Sequence, residues 1–146
     1  MRRDSSETKR KILTVCVRLF LEQGYKSTSV SQIVDEAGVA RGSYLNLFPT
    51  KDRILLELTE TMFGGQFGVA RSIADSKLPP VYAYAVETAI QLTLTELNEN
   101  LREIYIEAYS LPETSEYIYL HTTAELKQIF GEKFPDDTES DFYEME

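Results

Sequence analysis

Residues 28–51 constrain the fold of this chain more than any other stretch, because residues that start and stop helices alternate along them at short spacing. Ser29, with a glutamine three residues later, forms a capping-box pattern that starts a helix. Gly38 is predicted to end that helix, and a second short helix is predicted over residues 41–47. The corner Phe-Pro-Thr-Lys at 48–51 then starts another helix. Two short helices joined by a tight turn have the layout of a helix-turn-helix.

Helical periodicity continues on both sides of that stretch. Ser5 or Ser6 is predicted to cap a first helix, which Gly24 ends. Thr50 is predicted to cap a fourth helix that runs to about Phe63. The lone cysteine of the first helix excludes an intrachain disulfide and a cysteine-based metal site, and we expect it to be a small buried core residue.

The second half of the chain also reads as helical. The pattern weakens at Gly64 and Gly65, which are predicted to bend a helix, and then resumes. A linker at 76–80 is followed by predicted helices at about 80–98, 100–110 and 114–131. Residues 136–146 have the features of a further helix start, so we expect the chain to lack its last helices. No alternating strand pattern is present, and the sequence therefore predicts an all-α protein.

Charge divides the chain into a basic head, residues 1–53, and an acidic body, residues 54–146. The head carries ten Lys and Arg against six Asp and Glu, a net charge of +4, whereas the body carries five against eighteen, a net of −13. Phosphate contacts supply most of the non-specific affinity for nucleic acid. The head is therefore suited to face DNA, while the body would be repelled from it.

The predicted helix over residues 41–47 has two faces. Apolar and aromatic spacing predicts that one face packs on the first two helices: Ala40, Tyr44, Leu47 and Phe48. The opposite face and its flank carry groups that suit the DNA major groove: Arg41, Gly42, Ser43, Leu45 and Asn46. An arginine can form two bonds to guanine and an asparagine two bonds to adenine, while a leucine can contact the thymine methyl group.

Phosphate contacts are predicted beside that helix. Ser29 and Ser31 combine hydroxyl groups with the free N–H groups of a helix start, a combination that favours anions. Ser43 lies on the flank of the second helix, where its hydroxyl suits a phosphate. Lys51 opens the fourth helix and adds a positive charge nearby.

Residues 10–55 resemble the DNA-binding head of the TetR (tetracycline repressor) family of bacterial transcriptional regulators. The resemblance rests on apolar, glycine and corner residues that match without gaps: Ile12, Leu13, Leu19, Phe20, Gly24, Tyr25, residues 28–30, Ile33, residues 37–39, Gly42, Ser43 and residues 48–51. It implies a head of three helices, a connecting helix, and a helical body that binds a ligand and dimerises. With the charge division, this predicts a DNA-binding domain at 1–53 and a regulatory domain at 54–146. The resemblance also implies repression at a palindromic operator, in double-stranded DNA, that a small molecule relieves.

The family's DNA contacts carry over to Ser29, Ser31, residues 41–43, Leu45, Asn46 and Lys51. Family members usually have a tyrosine where Leu45 stands, and commonly an aromatic residue or histidine where Leu47 stands. These differences affect the strength or sequence preference of binding and leave the fold unchanged. Because the chain is also shorter than usual, dimerisation of this chain alone is open.

The body is rich in aromatic residues that would suit an apolar or aromatic effector better than an anion. The pocket is predicted to involve Phe63, Phe67, Tyr82, Tyr105, Tyr109, Tyr117 and His121. At helical spacing such residues are more often plain core. Swinging of the fourth helix would couple the body to the head, and Gly64-Gly65 is a candidate hinge.

A different class of function stays open at this point. An acidic helical protein could instead be a protein-interaction module whose head no longer binds DNA. Enzymatic activity is the least expected, since the sequence shows no nucleotide loop and no metal-ligand spacing, and no cofactor is expected. With no apolar run long enough to cross a bilayer, the chain is expected to be cytoplasmic and to have no membrane partner.

Overall fold

The computed structural model describes residues 2–145, without the side chains of residues 2–4, 70, 71, 74 and 75. That part of the chain forms helices only: α1 (Arg2–Gln23), α2 (Val30–Ala37), α3 (Arg41–Leu47), α4 (Lys51–Asp75), α5 (Pro80–Leu97), α6 (Glu99–Ser110), α7 (Pro112–Phe130) and α8 (Glu139–Met145). The all-α prediction is confirmed. No helix in residues 2–145 is both long enough and apolar enough to span a membrane.

Local start and stop signals account for most helix ends. Gly24 follows α1 with φ +91°, and Gly38 follows α2 with φ +62°; both angles suit glycine. The Thr50 hydroxyl accepts a hydrogen bond from the Arg53 N–H at 3.3 Å, as expected of a cap. The predicted cap at Ser5 or Ser6 is wrong, because α1 already begins at Arg2 and neither glycine nor proline interrupts that segment.

The predicted end of the fourth helix near Phe63 is also wrong, since α4 runs unbroken to Asp75. Gly64 and Gly65 lie inside it, and a Cβ atom added at either position would meet nothing within 4 Å. The buried rings of Phe63 and Phe67 flank the two glycines. Their packing offsets the poor helix propensity of glycine, about 1 kcal/mol per residue.

Of the three hydrophobic clusters in the described residues, two are large, one in the head and one in the body. The cluster of the head contains twelve buried residues: Ile12, Cys16, Leu19, Phe20, Tyr25, Ile33, Val34, Tyr44, Phe48, Ile54, Leu55 and Ile104. Three of them, Ile54, Leu55 and Ile104, lie beyond residue 53, in α4 and α6. The cluster of the body consists of Phe63, Phe67, Tyr105, Ala108 and Ile118. Helix α6 therefore packs against the head as well as inside the body.

Cys16 has no exposed surface, and burial raises the pKa of its thiol from 9.0 to about 12. In the folded protein we expect no reaction with a thiol reagent at neutral pH, and rapid reaction once urea unfolds the chain. Because an unfolded chain would release this proton first, the contribution of Cys16 to stability is complete below about pH 9 and falls as the pH rises towards 12. Fast labelling of the native protein would contradict the burial.

Candidate nucleic-acid interface

Helix α2 is fixed at both ends by short-range contacts. Ser29 has extended backbone angles, and its hydroxyl accepts a hydrogen bond from the Gln32 N–H at 3.2 Å. At the other end the Gly38 N–H donates to the Asp35 backbone carbonyl oxygen, and the Val39 N–H donates to the Val34 backbone carbonyl oxygen, each at 3.2 Å. These bonds set the turn between α2 and α3. The capping prediction at Ser29 and the turn prediction at Gly38 are confirmed.

Helix α3 is held by its aromatic face. Tyr44 is fully buried, Phe48 is almost so, and their ring centroids lie 6.2 Å apart. Leu47 is half-buried, whereas Ala40 is exposed and does not pack inward as predicted. Ala40 precedes the first turn as the N-cap residue with extended backbone angles, so its side chain lies off the helical face.

The opposite face of α3 points to solvent. Arg41, Gly42, Ser43, Leu45 and Asn46 are all exposed. Leu45 keeps 43% of its surface accessible, although an isolated leucine gains nothing from contact with water. The structure thus displays every α3 residue predicted to contact DNA on one side of a short, well-anchored helix.

Helix α2 contributes the neighbouring edge of this surface. Ser29 and Ser31 are exposed at its first turn, and the Arg41 Nη1 lies 3.4 Å from the Ser31 hydroxyl oxygen. Within the described residues Arg41 forms no ion pair, in contrast to Arg18, whose guanidinium pairs with Glu22 and Glu36. The Arg41 guanidinium is therefore available to an external acceptor.

Lys51 differs from the other predicted contacts because it is half-buried and already bonded. Its Nζ donates to the backbone carbonyl oxygens of Tyr25 at 2.7 Å and Thr28 at 3.0 Å. It also lies 4.1 Å from the centroid of the Tyr25 ring, within cation–π range. Burial lowers the pKa of Lys51, while Asp52, Glu103 and Glu107 act in the opposite direction.

The turn between α1 and α2 is a structural part of this interface that the sequence analysis did not identify. The Tyr25 hydroxyl donates to the Asp52 Oδ1 at 2.6 Å, and burial followed by this contact raises the pKa of Tyr25. The Gln23 side chain donates to the Thr28 hydroxyl at 3.1 Å and to Gln32 at 2.8 Å. The sequence signal for this turn is Tyr25, an aromatic residue directly after Gly24, the glycine that ends α1.

A cavity of about 160 Å³ lies in the body between α4, α5 and α7. Its lining mixes apolar and polar side chains: Phe67, Tyr84, Glu87, Thr88, Gln91, Thr122, Glu125, Leu126 and Ile129. Polar residues on a helix carry no sequence signal for a pocket, which is why most of this lining was missed. It contains one of the seven residues predicted for an effector pocket, Phe67.

The other six predicted pocket residues lie elsewhere. Phe63 and Tyr105 pack in the cluster of the body, and the Tyr109 ring centroid lies 6.2 Å from that of Phe63. Tyr82 is exposed. Tyr117 stacks on the exposed His121 with 3.8 Å between ring centroids. The structure therefore separates these residues into a core group around Phe63 and a surface group.

The chain is similar in sequence to known regulators. Residues 12–58 match the family model for bacterial regulatory proteins of the tetR family. The chain is 29% identical over 116 residues to the uncharacterized HTH-type transcriptional regulator YuxN of Bacillus subtilis, covering 75% of this chain and 38% of that protein. It is 39% identical over 59 residues to the HTH-type transcriptional regulator AcrR of Shigella flexneri, covering 40% of this chain and 27% of AcrR. The chain thus spans well under two thirds of these relatives.

Solved structures share the fold at low sequence identity. The TetR-family repressor FadR of Thermus thermophilus, solved in complex with lauroyl-CoA, superposes with a TM-score of 0.75 at 17% identity, covering 93% of this chain and 74% of FadR. A gamma-butyrolactone receptor superposes with a TM-score of 0.58 at 20% identity, covering 97% of this chain and 76% of the receptor. Residues 12–58, which contain the helix-turn-helix, are thus similar to the DNA-binding segment of bacterial regulatory proteins of the tetR family, and the two solved structures share the fold of the described chain.

Proposed function

We propose that this protein is a cytoplasmic, ligand-responsive transcriptional repressor that binds a palindromic operator as a homodimer. The exposed face of α3, where Arg41 forms no ion pair with any side chain that the structure describes, is the observation that carries the proposal. It lies in the basic part of an otherwise acidic chain. A positively charged head brings the helix to the phosphate backbone, and base contacts then select the sequence.

Each exposed group has a chemical role in this proposal. Arg41 binds guanine and Asn46 binds adenine through paired hydrogen bonds, and Leu45 contacts a thymine methyl group. Gly42, without a side chain, allows the backbone to approach the groove. The remaining groups contact phosphate oxygens, to which hydroxyl O–H groups and free helix N–H groups donate hydrogen bonds: Ser29, Ser31 and Ser43. Lys51, whose Nζ is bonded to two backbone carbonyl oxygens, adds positive charge beside them.

The cavity between α4, α5 and α7 is the proposed effector site. Phe67, Leu126 and Ile129 offer an apolar wall, while Thr88 and Gln91 offer hydrogen bonds. An apolar or aromatic molecule with a polar end fits this lining, and the complex of FadR with lauroyl-CoA provides a precedent within the fold. A volume of about 160 Å³ is below the roughly 300 Å³ of ordinary ligand pockets, so binding requires the surrounding helices to move.

Helix α4 can transmit such a movement, because it contributes to both ends of the molecule. Phe67 lines the cavity, and Lys51 opens the same unbroken helix beside α2. The sixteen helical steps from Lys51 to Phe67 span about 24 Å. In a dimer, the two heads must present α3 to major grooves roughly 34 Å apart. A tilt of α4 in each protomer would change that separation and so lower operator affinity.

Replacing both Gly64 and Gly65 with alanine tests whether α4 acts as a rigid lever or bends at a hinge. Since both positions have open space for a Cβ atom, we expect a gain of up to about 1 kcal/mol per site in the free energy of unfolding. Induction by the effector should be unchanged for a rigid lever. Loss of induction in a stably folded double variant would instead support a hinge at the two glycines.

Selection from a pool of random DNA duplexes at moderate salt tests the proposed function. The native chain should enrich an inverted repeat, and Arg41→Ala should enrich none. Enrichment of a single half-site would contradict the dimer. A protein-interaction module would enrich no sequence, and its binding to a protein partner would not depend on Arg41.

A further inference from the structure

One face of α6 carries three polar side chains that reach the last turn of α1 and the turn between α1 and α2. Asn100, Glu103 and Glu107 have the spacing i, i+3 and i+7, which places them on one side of the helix. The Asn100 Nδ2 donates to the Leu21 carbonyl oxygen at 2.9 Å. The Tyr25 N–H donates to the Glu103 Oε2 at 2.8 Å. Glu107 forms an ion pair with Lys26.

Glu103 lies closest to the backbone of this turn. A Cβ atom added at Gly24 would come within 2.5 Å of the Glu103 Oε2, and Gly24 also has φ +91°. A side chain at position 24 would strain the backbone and would displace the Glu103 carboxylate from its place at the turn. The turn and Glu103 form a close contact between the head and the body.

The same turn holds the start of α2. The Thr28 hydroxyl donates to the Gly24 carbonyl oxygen at 2.8 Å, and Lys51 donates to the carbonyl oxygens of Tyr25 and Thr28. Ser29 follows directly as the N-cap of α2. A displacement of the Tyr25 backbone would therefore move the helix start that the proposed function assigns to phosphate.

The apolar face of α6 packs against both the head and the body. Ile104 is buried in the cluster of the head, whereas Tyr105 and Ala108 are buried in the cluster of the body, where the Tyr105 ring centroid lies 5.8 Å from that of Phe63. The Gln66 side chain, on α4, donates to the Tyr105 hydroxyl at 2.6 Å. Helix α6 thus contacts α4 on one side and the head turn on the other.

We propose that Glu103 is a positioning residue for the DNA interface. Its carboxylate holds the backbone of Tyr25, and through the bonded turn it holds the N-terminus of α2 in the position that contacts phosphate. Helix α6 thereby acts on the head directly, beside the connection through α4. The DNA consequence rests on the proposed function, whereas the hold on the turn can be measured in the protein alone.

Three substitutions separate this role from a general effect of charge. Glu103→Ala removes the acceptor, and Glu103→Gln removes the charge but retains an acceptor oxygen. Glu99→Ala, at an exposed position on the same helix, is the matched control for loss of a carboxylate. We expect Glu103→Ala to weaken operator binding about tenfold, an effect of the size of one intramolecular hydrogen bond. Glu103→Gln and Glu99→Ala should bind as the native chain does, measured well below the unfolding temperature.

Hydrogen exchange in the free protein provides the second readout. The amides of Tyr25 and of the first turn of α2 should exchange faster in Glu103→Ala than in Glu103→Gln or Glu99→Ala. If the native chain binds no DNA, the proposed function fails. Amide hydrogen exchange alone then decides whether Glu103 holds the turn. Any of three results would overturn the proposal. The amides could exchange in Glu103→Ala as they do in the native chain, Glu103→Ala could bind the operator as well as Glu99→Ala does, or Glu103→Gln could bind it as weakly as Glu103→Ala does.

Discussion

Arg41→Ala is expected to abolish sequence-specific binding while leaving the protein folded. A bidentate contact between arginine and guanine contributes about 1–3 kcal/mol of discrimination, and a dimer on a palindrome makes it twice. The expected loss is therefore about 2–6 kcal/mol of operator affinity. Arg41 is exposed, and among the described residues its one side-chain hydrogen bond is the long one to Ser31. We therefore expect the free energy of unfolding to change by less than about 0.5 kcal/mol.

Fluorescence anisotropy with the selected duplex measures this loss, with Arg102→Ala as the matched control. Arg102 lies on α6 in the body, so its removal changes the net charge equally without altering α3. A control chain that still binds the operator would assign the effect to the position of Arg41. Equal affinities of the two variants for the operator would contradict the assignment of α3 as the reading helix.

Phe63→Ala is expected to cause the largest loss of stability of any single truncation in the body. The Phe63 ring is fully buried, with centroids 6.0 Å from Phe67, 5.8 Å from Tyr105 and 6.2 Å from Tyr109. Removing a buried phenylalanine ring costs about 3–5 kcal/mol through lost apolar burial and the cavity left behind. Against a typical total stability of about 5–15 kcal/mol, the variant would be marginally folded.

Urea denaturation followed by far-UV circular dichroism provides the comparison, with Phe134→Ala as control. Phe134 undergoes the same chemical change but keeps 47% of its surface exposed, so we expect a loss below about 1 kcal/mol. The denaturation midpoint should fall much further for Phe63→Ala. Similar midpoints for the two variants would show that the aromatic cluster around Phe63 is not the core of the body.

The sequence predicted the helix-turn-helix well because its signals are local. The Ser29 cap, the left-handed turn at Gly38 and the inward face at Tyr44 each depend on residues within one or two helical turns. The error at Gly64-Gly65 has the opposite cause. Packing of Phe63 and Phe67 against distant helices keeps α4 continuous where propensity alone predicts a bend.

The candidate site was predictable in so far as it depends on one helix face. The exposure of Arg41 and Asn46 follows from helical periodicity. The placement of Lys51 does not, because its partners Tyr25 and Thr28 are 26 and 23 residues away in the sequence. The body cavity was equally hard to predict, since its lining comes from three helices that only the fold brings together.

Because Cys16 is buried, the folded protein presents no native thiol to a labelling reagent, which suits it to site-directed labelling. Cys16 is the sole cysteine of the chain, and its thiol is sealed in the core of the head. A cysteine introduced at the exposed Asp35 of α2 would therefore be the one thiol open to a spin label. In the proposed dimer, two such labels would report the separation of the heads directly, so the native sequence can serve as its own starting point for measuring effector-driven movement.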